Sequence, residues 1–358
     1  MAQAIVGTAP RAFGAGAAMP LRYDRPMAAA HESGDALAAV DIGSNSMRLE
    51  IGRVERGGRY RRIAYVKETV RLGAALDAEG MLAEEAAERG LACLQRFAQR
   101  LAGFDAGRVR AVATQTLREA ANRDAFAQRA QRALGRPIEI ISGREEARLI
   151  FVGVGWLQPA RATRLVVDIG GRSTELVVGR GRRVQLAESF AVGCVGLSRR
   201  FFADGRITQQ ALGEAQAACD AAFGPAPGAF AHARWSETMG ASGTVGALAH
   251  VLAVNGVSDG RITRPGLRWC TERCLEAGAV GALALAGLAP ERRAVLPGGL
   301  ALLHALFTHL GIEALQPARG ALRHGVILEL HERLAADARA SPGAQRRSEG
   351  TKGRSRNP

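Results

Sequence analysis

Val40-Asp41-Ile42-Gly43-Ser44-Asn45-Ser46-Met47-Arg48-Leu49 returns, identical at six of ten positions, as Val167-Asp168-Ile169-Gly170-Gly171-Arg172-Ser173-Thr174-Glu175-Leu176. The offset is a constant 127 residues, and it still holds at Gly52-Arg53 against Gly179-Arg180. Each copy carries an apolar run into an Asp-x-Gly turn, then a Ser, then a second run with strand character. That pattern reads as strand, tight polar turn, strand. A single Asp-x-Gly turn is what any hairpin uses. Two matched copies a domain length apart predict a duplicated domain with a cleft between the halves. Glycine-bearing turns facing one cleft suit a polyphosphate: backbone N–H groups approach an anion closely where there is no Cβ, and each Asp can hold a hydrated cation.

The 358 residues exceed what one core usually supports, which agrees with two domains. Apolar residues make up 47% and aromatics only 5%, so the cores are built from Ala, Val, Leu and Ile. No apolar run approaches the ~18 residues of a membrane span. The net charge of +14 and pI of about 10.9 admit two readings: a polyanionic partner, or the Arg, Ala and Gly excess of G+C-rich coding. Lys67 and Lys352 are the only lysines. Five scattered Cys and seven scattered His predict neither a disulfide framework nor a metal cluster, and suit a reducing cytoplasm. Cys270 and Cys274 share a helix face, and His304 and His309 read as helix positions. Residues 1–36 are expected to be a disordered extension without a signal peptide, with Met19 and Met27 as alternative starts. Residues 336–358 are expected to be a disordered basic tail.

Between these ends, strands are predicted at Leu37–Val40, Arg48–Val54, Tyr60–Val66, Val109–Ala113 and Ile138–Ile141. Helices are predicted at Glu84–Leu101 and Thr116–Gln131. The order βββαβαβ describes a mixed sheet with helices on its faces. Ser142 and Glu145 have the form of a capping box opening a helix over Glu145–Val154. In the second half, the hairpin from Leu165 is followed by helices at Gln209–Phe223, Val245–Val254, Leu300–Leu310 and Gly325–Leu334, with a short strand at Thr238–Ser242.

Seven motifs occur in order: Asp-Ile-Gly-Ser-Asn-Ser (41–46), Ala-Thr-Gln-Thr-Leu-Arg-Glu-Ala (113–120), Ile-Ile-Ser-Gly-Arg-Glu-Glu-Ala-Arg-Leu (140–149), Asp-Ile-Gly-Gly-Arg-Ser-Thr-Glu-Leu (168–176), Gly-Ala-Ser-Gly-Thr (240–244), Pro-Gly-Gly-Leu (297–300) and Ala-Leu-Arg-His-Gly (321–325). As a set they resemble the exopolyphosphatase and guanosine pentaphosphate phosphohydrolase family, over about residues 37–334. The resemblance implies an α/β fold of two duplicated actin, sugar-kinase and Hsp70-like (ribonuclease H-like) domains, 37–150 and 151–335, with an interdomain cleft. It implies removal of the terminal phosphate of inorganic polyphosphate, or of guanosine pentaphosphate, by water with Mg²⁺. Phosphoryl transfer asks a protein to position the phosphate, neutralise its oxygens and aim a water in line.

For the general base the resemblance points to Glu146. If Glu145 is occupied by the capping box, Glu146 lies about 100° further round the helix and is free; spacing alone favours a solvent-facing acid held by the helix dipole, and the resemblance reverses that. Asp168 is the expected Mg²⁺ contact, with Asp41 opposite and Glu175 as a further acid; either Asp by itself would read as an Asx-turn. Gly43, Ser44, Asn45 and Ser46, with Gly170, Gly171 and Ser173, are expected to donate to phosphate oxygens. Arg118 is expected to fork two of them. The use of Gly240–Thr244, which matches the adenosine segment of related kinases, stays open.

Two positions depart from the family pattern. Arg172 stands where a third Gly is usual, and His324 where Glu is common; both bear on substrate preference. Longer relatives add an HD-type helical domain and a small further domain, so a shorter groove and weaker processivity on long polymers are expected. A homodimer is expected by analogy. The rival readings are a non-catalytic polyphosphate or nucleotide sensor and a sugar kinase. Specific nucleic-acid binding has only the net charge behind it.

Overall fold

Strand alternation decides where the two repeated acids point. In β1 (Leu37–Ile42), Ala38, Val40 and Ile42 enter the core of the first lobe, while Leu37 and Ala39 enter a core shared between the lobes. Residues two apart on a strand share a face, so Asp41 lies on the shared side. β6 (Thr163–Ile169) repeats the arrangement: Leu165, Val167 and Ile169 pack into the second lobe and Val166 into the shared core. Asp168 is thereby turned to the same region from the other sheet. The computed structural model describes residues 35–224, 228, 230 and 233–340.

The first sheet adds β2 (Met47–Val54), β3 (Tyr60–Glu68), β4 (Val109–Ala113) and β5 (Ile138–Ile140), in the order β3-β2-β1-β4-β5. The second contains β6, β7 (Thr174–Arg180), β8 (Arg183–Phe190), β9 (Glu237–Gly240), β10 (Ile262–Thr263) and β11 (Ala314–Pro317), in the order β10-β11-β9-β6-β7-β8. β1 and β6 each run antiparallel to the next strand and parallel to the strand on their other side. Even the register shift is duplicated, at Ile51/Gly52 and at Val178/Gly179. The two mixed sheets share one plan, the duplication that the repeated stretch predicts and the ribonuclease H-like architecture that the family resemblance implies.

Helices α1 (Glu84–Arg100), α2 (Gln115–Glu119) and α3 (Arg123–Leu134) close the first core. The second core is closed by α5 (Cys194–Phe201), α6 (Gln209–Phe223), α7 (Gly243–Val254), α8 (Arg264–Ala277) and α9 (Leu296–His309). Two helices lie between the sheets, α4 (Gly143–Leu157) and α10 (Leu322–Ala340), and contribute Leu149, Phe151, Val326 and Ile327 to the shared core. They cross with backbones in contact. A Cβ on Gly325 would come within 2.0 Å of the Leu149 carbonyl oxygen, and one on Gly153 within 2.5 Å of that of Ala321. α4 leaves the first lobe and lies on β7 and β8, while α10 returns from the second half to β1. The boundary expected at residue 150 therefore falls inside α4.

Several elements differ from the sequence reading. The helix expected over Thr116–Gln131 is two helices, because Ala120 is extended (φ −59°, ψ 125°). The Asn122 side chain is bonded to both the N–H and the carbonyl of Leu82, at 2.9 and 3.0 Å. Ala121 N–H is held by the Gly80 carbonyl at 2.9 Å. These long-range bonds outweigh helix continuity. α10 continues to Ala340, past the point where the tail was expected to begin. β8, α5, β10 and β11 carried no reading at all. Met19, Met27, nearly all of the N-terminal extension and residues 341–358 lie outside the described residues.

Candidate active site

The two acidic turns are built alike. A Cβ on Gly43 would meet the Ser46 carbonyl oxygen at 2.9 Å, and one on Gly170 would meet that of Ser173 at the same distance. Only glycine fits either turn. The turns also touch each other: a Cβ on Gly171 would lie 3.0 Å from Ser44 Cβ. Together they line a cavity of about 300 Å³, with Asp41, Glu146 and Asp168 in its wall. All seven residues expected to bind phosphate border it: Gly43, Ser44, Asn45, Ser46, Gly170, Gly171 and Ser173. The Ser46 hydroxyl is buried there without a hydrogen-bond partner. A buried orphan hydroxyl is costly unless a ligand or water completes it.

The four acids differ in environment. Asp41 is bonded by Arg48 Nη1 at 3.0 Å. Burial pushes the Asp168 carboxyl up to about 6; Arg48 opposes this and Asp41 adds to it. Glu175 faces Asp168 across the β6–β7 ladder and accepts a hydrogen bond from Ser189 Oγ at 2.8 Å. Burial, then the Glu146 and Asp168 carboxylates, hold it well above the ordinary range. It is buried behind the cavity rather than bordering it. Burial also pushes Glu146 up to about 7 against the pull of Arg118, with Asp168 and Asp41 adding to the rise.

Glu146 occupies the first turn of α4, whose N-cap is Ser142. Only half of the predicted capping box forms. Ser142 Oγ accepts from Glu145 N–H at 3.2 Å, but the Glu145 carboxylate turns away to Arg148, at 2.8 and 2.7 Å. Nor is Glu146 free, because Arg118 Nη1 donates to it at 2.8 Å. Arg118 does not border the cavity. Three further donors go to the Ile141 carbonyl at 2.9 Å and to Gln115 Oε1 at 2.9 and 2.6 Å. Arg172 neither crowds its turn nor enters the cavity; it bonds Glu119 and the Gly73 carbonyl. His324 is buried, with Nδ1 accepting from Ala321 N–H at 3.0 Å. That assigns the proton to Nε2, which lies 3.1 Å from Glu50 Oε1.

Sequence reasoning passed over most of the cavity's cations. Arg48, Lys67, Arg292, Arg319 and Arg323 border it, five against the three carboxylates, so the wall as a whole suits a polyanion. Lys67 had a usable signal, as the sole lysine in the folded core. Burial, then Arg292 and Arg48, push its ammonium down to about 8. Arg323 bonds the buried Glu50 and lies 4.9 Å from the Tyr65 ring centre.

Among the described residues no three His, Cys, Asp or Glu side chains converge to hold a metal by protein ligands alone. The donor chemistry nevertheless fits Mg²⁺. This cation takes one or two carboxylates and completes its shell with water and substrate phosphate oxygens, and Asp168 is a cavity carboxylate without a bonded cation.

Residues 51–334 match the model of the Ppx/GppA phosphatase family. The chain is 42% identical over 293 residues to the guanosine-5'-triphosphate,3'-diphosphate pyrophosphatase of Aeromonas hydrophila, covering 82% of this chain and 59% of that protein. It thus spans about three fifths of the length of the curated relatives it matches. Among solved structures, an exopolyphosphatase-like protein superposes with a TM-score of 0.73 at 28% identity, over 84% of this chain and 99% of its own. An exopolyphosphatase from Cytophaga hutchinsonii superposes at 0.75 and 24% identity, over 83% and 98%.

Proposed function

The chain belongs to the Ppx/GppA phosphatase family, and from that premise we propose that it hydrolyses the terminal phosphoanhydride of a polyphosphate chain, with inorganic polyphosphate as substrate. The observation that carries the reading is the cavity itself. A carboxylate with a raised pKa, Glu146, borders the same 300 Å³ space as two glycine-built anion turns and five cations.

In this reading the backbone N–H groups of 43–46 and 171–173, with the hydroxyls of Ser44 and Ser46, hold the terminal phosphate; the Gly170 N–H closes its own turn on the Ser173 carbonyl at 2.9 Å. Mg²⁺ at Asp168 would neutralise charge on its oxygens. Glu146 accepts a proton from the attacking water. The water oxygen bonds to phosphorus, the bridging P–O bond breaks, and orthophosphate and the shortened chain leave. Arg118 holds the Glu146 carboxylate in place while burial keeps it basic enough to take the proton.

A second reading, guanosine pentaphosphate as substrate, is favoured by the 42% identity to the Aeromonas guanosine-5'-triphosphate,3'-diphosphate pyrophosphatase. Both substrates ask for the same phosphate machinery. The test is orthophosphate release at fixed Mg²⁺, comparing kcat/KM on polyphosphates of several lengths with that on the pentaphosphate. The proposal expects turnover, with polyphosphate preferred. Binding of either substrate without release would support the sensor reading instead.

A further inference from the structure

A continuous run of side-chain hydrogen bonds joins the lobe boundary to Glu146. Arg172 sits in the second acidic turn, at the place Asn45 holds in the first. Its side chain crosses to the first lobe, where it bonds Glu119 Oε2 at 2.5 Å and the Gly73 carbonyl at 3.0 Å. The crossing requires Gly73, since a Cβ there would lie 2.8 Å from Arg172 Cδ. The other Glu119 oxygen accepts from Gln115 Nε2 at 2.6 Å. Gln115 Oε1 accepts from Arg118 Nε and Nη2, at 2.9 and 2.6 Å, and Arg118 Nη1 donates to Glu146 at 2.8 Å.

Each link orients the next. An ionised carboxylate only accepts, so Glu119 turns the amide nitrogen of Gln115 toward itself. That leaves the amide oxygen facing Arg118. With two donors fixed there, the third points at Glu146 in one direction.

We propose that Arg172 is a positioning residue. By clasping the two lobes it fixes Glu119, and through Gln115 and Arg118 it sets the direction of the Glu146 carboxylate. Closure of the lobes and alignment of the base are thereby one event. This rests on the reading of Glu146 as the general base. A residue acting only through another lowers turnover and leaves substrate affinity nearly unchanged.

The experiment uses the full chain with Mg²⁺ and compares Arg172→Ala, Arg172→Lys, Gln115→Met and the Arg172→Ala/Gln115→Met double variant. Orthophosphate release from tripolyphosphate and from guanosine pentaphosphate gives kcat and KM. Each of Arg172→Ala and Gln115→Met is expected to lose about tenfold in kcat with KM changed less than about twofold, and the double variant no more than the worse single one, because both cut one chain. Arg172→Lys, which keeps a donor for Glu119, is expected to recover part of the loss. Unchanged kcat, a KM rise at constant kcat, or multiplicative losses would overturn the proposal. Hydrogen exchange of the ligand-free protein gives a readout independent of activity. In Arg172→Ala, amides of 115–119 and 143–146 should exchange faster while the core strands do not; unchanged exchange at those amides would also overturn it. A wild-type chain that releases no orthophosphate refutes the proposed function, and the exchange measurement still decides the clasp.

Discussion

Arg48 and Glu175 occupy the same position in the two copies of the repeat, the first directly across the ladder from Asp41 and the second directly across from Asp168. The duplication has inverted the charge at this place. Asp41 is closed by a cation within its own hairpin, at 3.0 Å. Asp168, partly exposed in the cavity wall, faces the buried Glu175 carboxyl, and both acids are held above their ordinary range. The second hairpin therefore carries two facing carboxyls with no cation bonded to Asp168, and a divalent cation there would favour their ionised forms.

If that asymmetry places the Mg²⁺ site, Glu175→Gln weakens it without removing a cavity wall. We expect the Mg²⁺ concentration for half-maximal orthophosphate release to rise about tenfold, as for loss of a partner behind a ligand. A Mg²⁺ titration of wild type and variant checks this; an unchanged midpoint argues for the first hairpin.

If Glu146 is the general base, as proposed above, the acid limb of activity belongs to it. It must be ionised to accept a proton, and burial holds its carboxyl up to about 7. kcat/KM should rise with pH through that region and level off above it. Arg118 stabilises the ionised form, so Arg118→Met moves the limb to higher pH, by about one unit. The logarithm of kcat/KM plotted against pH measures the shift; a limb that stays in place, or moves toward acid, contradicts the pairing.

Glu50 stabilises the join between the lobes. It is fully buried, and it accepts from Tyr60 Oη at 2.7 Å, from Arg62 Nε at 3.0 Å and from Arg323. Burial pushes its carboxyl up, but His324, Arg323 and Tyr60 more than offset this and hold it well below the ordinary range. A depressed carboxyl stabilises the fold fully above the unfolded pKa of about 4.3, and the stabilisation is lost as pH falls. His324, kept neutral by burial, adds a loss on acidification below about 6.5, where the unfolded chain takes its proton. Glu50→Gln should cost about 3–5 kcal/mol at pH 7, because Arg323 is left without its carboxylate. It should also flatten the fall of Tm between about pH 5 and pH 3. Thermal melts across pH check both; a parallel, merely displaced curve would contradict the assignment.

What could be read from the chain was local. The two hairpins were legible because turn, strand and acid lie within ten residues and occur twice. Glu84–Arg100 was legible because Ala87, Leu91 and Leu94 recur at helical spacing and are buried. Partnerships were not legible. The residue types at Arg118, Arg172 and His324 were noticed, but whom each one faces depends on Gln115 and Glu146, on Glu119, and on Glu50, all brought together by packing. The break at Ala120 was hidden for the same reason, since Asn122 finds Leu82 forty residues away. Arg292 and Arg323 were lost among many arginines, where charge alone marks nothing.

The helix crossing between the lobes is a further point of test. At Gly325 an added methyl would press on the Leu149 carbonyl at 2.0 Å, which is backbone and has nowhere to move. Gly325→Ala should therefore cost about 2–3 kcal/mol, as overpacking does. Denaturant unfolding measures it. A neutral variant would mean that α4 and α10 slide apart freely.

The most direct measurement compares Glu146→Gln with the wild type on the same preparation, following orthophosphate release together with equilibrium binding of polyphosphate. The amide keeps the size of the side chain but accepts no proton. The account predicts turnover reduced about 10²–10⁴-fold with binding within about twofold. A Glu146→Gln variant that turns over like the wild type would contradict it.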